Sequence, residues 1–464
     1  RGALVATMGL MNAAQLLDGH YNGPDLDFGS VSTDTRSLLP GDVFVALKGP
    51  NFDGHGFVDK ARNSGAIAAV ISDSVDVDMP LITVGDTGKA LMKLAQEWRR
   101  QHPIPTVAIT GSNGKTTVKE MVAAILSCRG KVLATRGNFN NEIGLPLTLF
   151  RLSDDDEYAV LELGASALGE IGRLVTVAMP QVAVLTNAGP AHLQGFGSID
   201  RVATAKGEIF STLTAGDTAI INADDVYAPQ WRDTVASDVN ILTFGWQGDA
   251  DVHLRDQALA TRLVDGAFET RFGLAHNDEA VDVILHLAGL HNVSNALAAA
   301  AACLALGVDL TTIVRGLKQL LPVSGRLAPL AGRSGAQIID DSYNANPGSV
   351  DAAIKLLAAC QGERWLVLGD MGDLGQGASE LHHDIGVVAR EMGIDRLYAC
   401  GTLSAHAVSG FGDAGHHFDS REALVAALQP QLGESVVLLV KGSRSAAMDR
   451  VVTALSAEPT GEGC

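Results

Sequence analysis

The chain has 464 residues, a length that predicts three domains at about 150 residues each. Hydrophobic residues make up 47% and charged residues 19%, so the chain can bury sizeable cores, which excludes global disorder. A formal net charge of −19 argues against nucleic acid as a main partner, since neutralising phosphates takes a surplus of Lys and Arg; any polyanion must be held at a local site.

Leu10, Ala13, Ala14 and Leu17 recur at helical spacing and predict a short amphipathic helix, which Asn12 and Gln15 make too polar for a targeting segment. A strand at Asp42–Leu47, a polar loop at Gly49–Gly56, a helix at Val58–Ser64 and a strand at Ala68–Ser72 complete a first segment over 1–85. Helical periodicity over Thr87–His102 stops at Pro103, with Pro105 close behind. The second segment, 86–323, opens with a β-branched run at Thr106–Thr110, a glycine turn and a helix through Met121–Leu126. Further strands are expected at Tyr158–Leu163, Val182–Thr186 and Thr218–Asn222. Short apolar runs alternating with helices imply a largely parallel sheet covered on both faces. The choppy stretch from Asn240 to Leu287 predicts a side sheet, and Asn292–Leu306 an Ala-rich helix. The third segment, 324–464, has α/β character, with strands at Ala336–Asp340, Trp365–Leu368, Arg396–Cys400 and Val436–Val440.

No apolar run reaches the ~20 residues of a membrane helix, the longest being Ala296 to Leu306. Five scattered cysteines without a C-x-x-C pair fit reduced thiols in a cytoplasm.

Thr110-Gly111-Ser112-Asn113-Gly114-Lys115-Thr116-Thr117 lies between a strand and a helix. Glycines let backbone N–H groups wrap phosphate oxygens, Lys115 adds a charge, and the Thr116 hydroxyl suits Mg²⁺. Ile109 stands where the strict P-loop pattern has its first glycine. Glu162 ends the next strand, where a carboxylate could hold Mg²⁺. His192 and Lys206 follow later strands; alone, each reads equally as a structural histidine and a surface lysine. Asp340-Asp341-Ser342-Tyr343-Asn344 suits ribose and phosphate contacts or, alternatively, helix capping. Lys441-Gly442-Ser443-Arg444-Ser445, after the last strand, reads as an anion site or as helix initiation.

The phosphate loop, Asn138-Phe139-Asn140-Asn141-Glu142-Ile143-Gly144-Leu145-Pro146 and Glu162-Leu163-Gly164 resemble the Mur ligase family in order. So do His192, Ala205-Lys206-Gly207-Glu208, Gly289-Leu290-His291-Asn292-Val293-Ser294-Asn295, Gly325-Arg326 and the Asp-Asp-Ser-Tyr-Asn-Ala-Asn-Pro stretch. The resemblance runs from Leu10 to Leu455 and implies three α/β domains: a small N-terminal UDP-sugar domain, a central P-loop ATPase domain with a mostly parallel sheet, and a C-terminal Rossmann-like ligase domain. The asparagine-rich loop, the Tyr343 motif and the Lys441 motif resemble members that add D-Ala-D-Ala to a UDP-N-acetylmuramoyl tripeptide through an acyl phosphate. That implies a cytoplasmic, monomeric enzyme of peptidoglycan synthesis using ATP and two Mg²⁺ ions, with neither nucleic acid nor membrane as partner.

By motif position, Gly111, Ser112, Asn113, Gly114, Lys115, Thr116 and Thr117 would bind ATP, Asn292 and Asn295 its adenine, Arg326 the γ-phosphate and Asp341 the ribose, with Tyr343 and Asn344 alongside. Thr116 and Glu162 would hold one Mg²⁺; His192 and a carbamylated Lys206 would hold the other. Lys115, Lys206, His192 and Arg326 would be catalytic. Ser32, Asp34, Thr35, Arg36, Asn51, Phe52, Asp53, Gly54 and His55 resemble UDP-sugar contacts, and Asn140, Asn141, Lys441, Ser443 and Arg444 would also meet substrate. Two departures stand out: Asp373 replaces a Glu common in relatives, and Ser166-Ala167 an Asn-His pair. Folylpolyglutamate synthase shares the implied chemistry but lacks a comparable leading UDP-sugar domain. A nucleotide switch without ligase chemistry would not need Lys206, His192 and Arg326 together.

Overall fold

Buried Val-, Ile- and Ala-rich runs without polar alternation become strands covered on both faces. In the computed structural model, which describes residues 7–21, 23–49, 52–190, 193–256, 259–264 and 267–457, they assemble into three main sheets. The first has the order His20–Tyr21, Leu81–Thr83, Ala68–Ile71, Val43–Val45, Val31–Ser32, parallel except for its first pair. The expected polar loop at 49–56 contains a two-stranded ribbon, Lys48–Gly49 with Phe52–Asp53, and a 3₁₀ turn at Gly54–Phe57.

The helix Thr87–Gln101 buries Leu91, Leu94 and Trp98. It packs against the helix Leu10–Leu16 on one side and the helices Gly144–Leu149 and Glu170–Ala178 on the other, so one core runs from the first sheet to the second. Buried Arg99 closes this joint, donating to the carbonyls of Ala178 (3.1 Å), Ile104 (2.9 Å), Met179 (3.3 Å) and His102.

The central sheet has ten strands. Val132–Ala134, Tyr158–Glu162, Thr106–Thr110, Val182–Leu185, Thr218–Asn222, Asn240–Gly245 and Val252–Leu254 run parallel in that spatial order. The expected side sheet is a continuation of this one: Ala267–His276 adds antiparallel to Val252–Leu254 and pairs with Ala260–Val264 and Glu279–Leu285. Hydrogen bonding carries on through strands that mix charged with apolar residues and so do not resemble the buried ones before them. The helix Leu290–Ala305 is buried on all sides from Asn295 to Cys303, and its alanines let it lie close to the helix Lys115–Leu126.

The third sheet runs Ala328–Ala331, Gln337–Asp341, Val436–Lys441, Glu363–Gly369, Arg396–Cys400, Gly415–Phe418, parallel after its first pair. On one face the helices Ala378–Glu391 and Ser404–Phe411 cross at two glycines. A Cβ on Gly386 would lie 1.9 Å from the Ala407 carbonyl oxygen, and one on Gly410 would lie 2.1 Å from that of His383. The first helix carries buried His382, whose Nε2 accepts from the Met371 N–H at 2.9 Å and so fixes the loop after Gly369. Gly386→Ala is expected to cost about 1–3 kcal/mol through overpacking, read as a lower Tm; an unchanged Tm would contradict this packing.

Candidate active site

The chain leaves Thr106–Thr110 to one side of the sheet, returns beside it at Tyr158–Glu162, then crosses to the other side at Val182–Leu185. Such a reversal opens a crevice at the carboxyl end of the strand, where α/β sheets bind ligands. The glycine loop occupies that crevice. Gly111 has φ +149°, and a Cβ there would fall 2.0 Å from Thr186 Oγ1; Gly114 has φ +83° and meets Asn295 Oδ1 in the same way at 2.3 Å. Only glycine permits both approaches.

The loop's backbone is partly spent internally. The Ser112 N–H donates to the Asn187 carbonyl (2.9 Å) and the Asn113 N–H to Asn187 Oδ1 (2.9 Å). An anion would therefore meet the unpaired amides of the first turn of the helix Lys115–Leu126, at the positive end of its dipole. Lys115 Nζ rests on the carbonyls of Gly111 (2.7 Å) and Ser112 (3.2 Å). Burial lowers its pKa, Glu162 opposes that, and Arg326 adds to it.

Thr116 joins two sheets. Its Oγ1 donates to Glu162 Oε2 at 2.7 Å and accepts from Arg326 Nη2 at 2.9 Å. Asn140 Nδ2 donates to the other carboxylate oxygen at 2.7 Å. Arg326 is stacked over the Tyr343 ring, 4.4 Å from its centroid. A hydroxyl and a carboxylate oxygen side by side form the hard donor set that Mg²⁺ prefers.

Across the cleft, Lys441 Nζ donates to Asp341 Oδ2 (2.5 Å) and the Asn344 carbonyl (3.0 Å). Burial raises the Asp341 pKa, with Lys441 and Arg326 pulling it back. Asn292 Nδ2 donates to the Ala288 carbonyl at 2.7 Å and Asn295 Nδ2 to Asn292 Oδ1 at 3.0 Å.

These groups enclose a cleft of about 1130 Å³. Its wall includes Ser112, Asn113, Gly114, Lys115, Thr116, Thr117, Asn140, Asn141, Glu162, Asn292, Asn295, Arg326, Asp341, Tyr343, Asn344, Lys441 and Arg444, which the sequence had separated by more than 300 positions. Gly111 lies behind it. Lys206 also sits behind the wall, 2% exposed, with Nζ 3.4 Å from the carbonyl of wall residue Ala165 and 5.6 Å from the Phe196 ring centroid. Burial pushes its pKa down to about 7, aided by Lys115 and opposed by Glu170, Glu208 and Glu162. Buried Ser443 donates its N–H to the Asp370 carbonyl and lies off the wall. His192 and Asn51 fall outside the described residues.

The candidates of the first sheet lie apart from this cleft. Arg36 forks onto Asp34 (Nη2–Oδ2 2.6 Å, Nε–Oδ1 3.0 Å) and holds that carboxyl at about 2. Ser32 Oγ donates to the Asp34 carbonyl at 3.1 Å with Thr35 next in the turn, Gly54 lies against the Leu47 backbone, and exposed Phe52 stacks on Phe57 at 5.3 Å. His55 is committed to the fold: Nε2 accepts from the N–H groups of Ser72 (2.9 Å) and Asp73 (3.2 Å), so its proton is on Nδ1, 2.6 Å from Asp53 Oδ1. Sequence reasoning missed Asn187, Asn222, His291 and Asn346 on the cleft wall. Asn187 and Asn222, each at a strand end, carried the signal that singled out Glu162.

A protein from Escherichia coli (strain K12) named UDP-N-acetylmuramoyl-tripeptide--D-alanyl-D-alanine ligase is 44% identical over 97% of this chain and 99% of its own length. The chain belongs to the Mur ligase family. Family models for the Mur ligase catalytic domain, middle domain and glutamate ligase domain match residues 27–110, 109–303 and 325–444. A crystal structure of MurF from Acinetobacter baumannii superposes with a TM-score of 0.90 at 34% identity, covering 97% of this chain and 98% of that one. The MurF ligase of Thermotoga maritima, solved in complex with ADP, gives 0.81 at 30% identity over 92% and 96%. A folylpolyglutamate synthase from Mycobacterium tuberculosis, at 18% identity and 0.63, shares the fold.

In this Mur ligase the cleft also sets a pH dependence. Burial, then Lys441, push the His291 pKa from 6.5 down to about 4. The fold therefore holds a neutral imidazole, and the unfolded chain binds the extra proton between those values. That contribution to stability is present above about 6.5 and is lost as pH falls toward 4. In thermal melts across that range, His291→Asn is expected to flatten part of the slope; an unaltered slope would contradict the assignment.

Proposed function

We propose that this ligase uses ATP to join D-alanyl-D-alanine to the terminal carboxylate of a UDP-N-acetylmuramoyl tripeptide, a cytoplasmic step of peptidoglycan precursor synthesis. The observation that carries the reading is the meeting of Arg326, from the third unit, with Thr116 of the nucleotide loop at 2.9 Å, where the same hydroxyl donates to Glu162 at 2.7 Å. Near-full-length likeness to ligases of that name supports it.

The substrate carboxylate attacks the γ-phosphorus of ATP, ADP leaves, and an acyl phosphate forms. The free amine of the dipeptide then attacks the acyl carbon, inorganic phosphate departs, and the amine loses a proton. Negative charge accumulates throughout, so the chain's task is to neutralise it and exclude water. The first-turn amides and Lys115 receive the phosphates, and Arg326, held flat by Tyr343, faces the same point from the third sheet. Asn292 and Asn295 take the adenine, and Asp341, with Tyr343 and Asn344, the ribose. Residues 1–85 form the UDP-sugar unit, with Ser32, Asp34, Thr35, Arg36 and the 51–55 loop as contacts; 86–323 hold ATP and 324–464 the ligase unit. Asn140, Asn141, Lys441 and Arg444 complete the substrate site, with Ser443 buried off its wall.

Thr116 and Glu162 would hold one Mg²⁺, and by motif position His192 with Lys206 would hold a second; such ions would neutralise phosphate oxygens when bound. A protonated amine would repel a cation. Burial pushes Lys206 toward its neutral form, with no carboxylate in ion-pair contact among the described residues. The neutral amine can add CO₂ and become an anionic carbamate, an oxygen ligand.

Phosphate release should require both the UDP-tripeptide and D-Ala-D-Ala; release with either alone would refute the reading. Lys115→Ala is expected to cut turnover by orders of magnitude in a folded protein. Lys206→Ala should nearly abolish activity, with partial rescue by acetate or formate; rescue by small amines instead would make Lys206 a simple cation. Arg36→Ala should raise KM for the UDP-tripeptide and leave that for ATP unchanged.

A further inference from the structure

Asn346 caps the helix Pro347–Ala358 from the third unit. Its Oδ1 accepts from the Ser349 N–H at 2.9 Å, and Ser349 Oγ returns to the Asn346 N–H at 3.0 Å, a reciprocal capping box. This has a consequence for the other end of the amide. With the oxygen committed to the cap, only Nδ2 can face outward, and it donates to Asn113 Oδ1 at 2.7 Å. The partner is a side chain of the phosphate loop, 233 residues away in sequence.

The bond dictates which way the Asn113 amide points. Its oxygen is turned to Asn346, so its Nδ2, beside Gly348 with which Asn113 lines the cleft, has no protein acceptor among the described residues and is left as a donor to a ligand oxygen. The backbone cannot substitute. The Asn113 N–H is bound to Asn187 Oδ1 at 2.9 Å, and its carbonyl accepts from Thr186 Oγ1 at 2.6 Å and Asn187 Nδ2 at 3.1 Å. At this position the side-chain amide is the group that can meet a phosphate. An amide offers either two donors or an acceptor on a given side, and an acceptor there would repel a nucleotide.

We propose that Asn346 is a positioning residue for the nucleotide: through its cap it fixes the Asn113 amide so that hydrogens, not the oxygen, face the phosphates. The inference rests on the ATP reading of the cleft. It makes a helix cap in one unit part of the phosphate recognition of another.

The test is calorimetric binding of ATP alongside Tm. Asn346→Asp keeps the cap, since Asp and Asn cap equally well, but offers only acceptors. The Asn113 amide must then turn its Nδ2 to the carboxylate and its oxygen to the cleft. ATP binding is expected to weaken at least tenfold with Tm nearly unchanged. Asn346→Ser, a competent cap too short to reach the loop, should weaken it only about two- to fivefold, because the Asn113 amide can still rotate. In an Asn113→Ala background neither substitution should weaken binding further. Parent-like affinity for Asn346→Asp would overturn the proposal, leaving a helix cap alone. A full tenfold loss persisting in the Asn113→Ala background would also overturn it, showing direct repulsion of phosphate by the new carboxylate. Failure of the ATP reading looks different: Lys115→Ala and Asn113→Ala would then leave ATP binding untouched.

Discussion

One hydroxyl holds the site together. Thr116 gives its proton to Glu162 and takes one from Arg326, so a carboxylate on the central sheet and a guanidinium beside the third are linked through one atom. A direct Glu–Arg pair would bind the two sheets more tightly but would satisfy the carboxylate. Among the described residues, the shared hydroxyl leaves the Glu162 side chain paired with neutral donors, Thr116 and Asn140, and therefore still able to accept a cation. Arg326 likewise has no ion pair within contact distance among the described residues and is held by Tyr343 through its ring face. The charges that chemistry on a phosphate requires are assembled without cancelling one another.

That arrangement explains how a chain of net charge −19 can receive a polyanion. Lys115, Arg326, Lys441 and Arg444 line one cleft, drawn from two different units. Carboxylates share its wall, with Asp341 paired to Lys441 and Glu162 bound by Thr116 and Asn140, so placement of the cations rather than a net positive wall receives the polyanion. Close approach makes the convergence possible. Gly111 and Gly114 let the loop lie against Thr186 and Asn295, and the Ala-rich helix behind Asn295 brings that side chain to the loop's edge. Asn346 adds a second tie from the third unit. The nucleotide loop is thus shaped from three sides by side chains distant in sequence.

What was legible in the sequence follows from this. Thr106–Thr110, Thr218–Asn222 and Arg396–Cys400 form strands with the expected bounds, because fully buried parallel strands leave apolar runs with sharp edges. The phosphate loop was legible because its chemistry is local: glycines, a lysine and a hydroxyl within eight positions. The central sheet's extension past Asn240 was not, since its strands interleave buried apolar residues with charged ones and their pairing is decided by edges already formed. Nor was the commitment of His55 to Ser72 and Asp73, a contact across 17 residues that no local motif encodes. Asn346 shows the same limit. Its capping role was local and readable, whereas its hold on Asn113 exists only once two sheets have met.

Three lysines buried among the described residues, Lys119, Lys206 and Lys441, and half-buried Lys115 show how much depends on partners. Lys441 is paired with Asp341, and Lys119 with Glu120 and the Thr135 carbonyl. Lys115 rests on two loop carbonyls, with Glu162 favouring its charge. Each is desolvated but compensated, which is what keeps an ammonium inside a protein. Lys206 is equally buried and has much less: a carbonyl at 3.4 Å and the face of Phe196. Its carboxylates act from a distance, while Lys115 repels it. A buried amine so placed is driven toward the neutral, nucleophilic state, and any reaction giving it a negative charge would relieve its conflict with Lys115. The same deficit makes Lys206 a poor structural lysine, and it is the conflict that the carbamate proposed above would relieve.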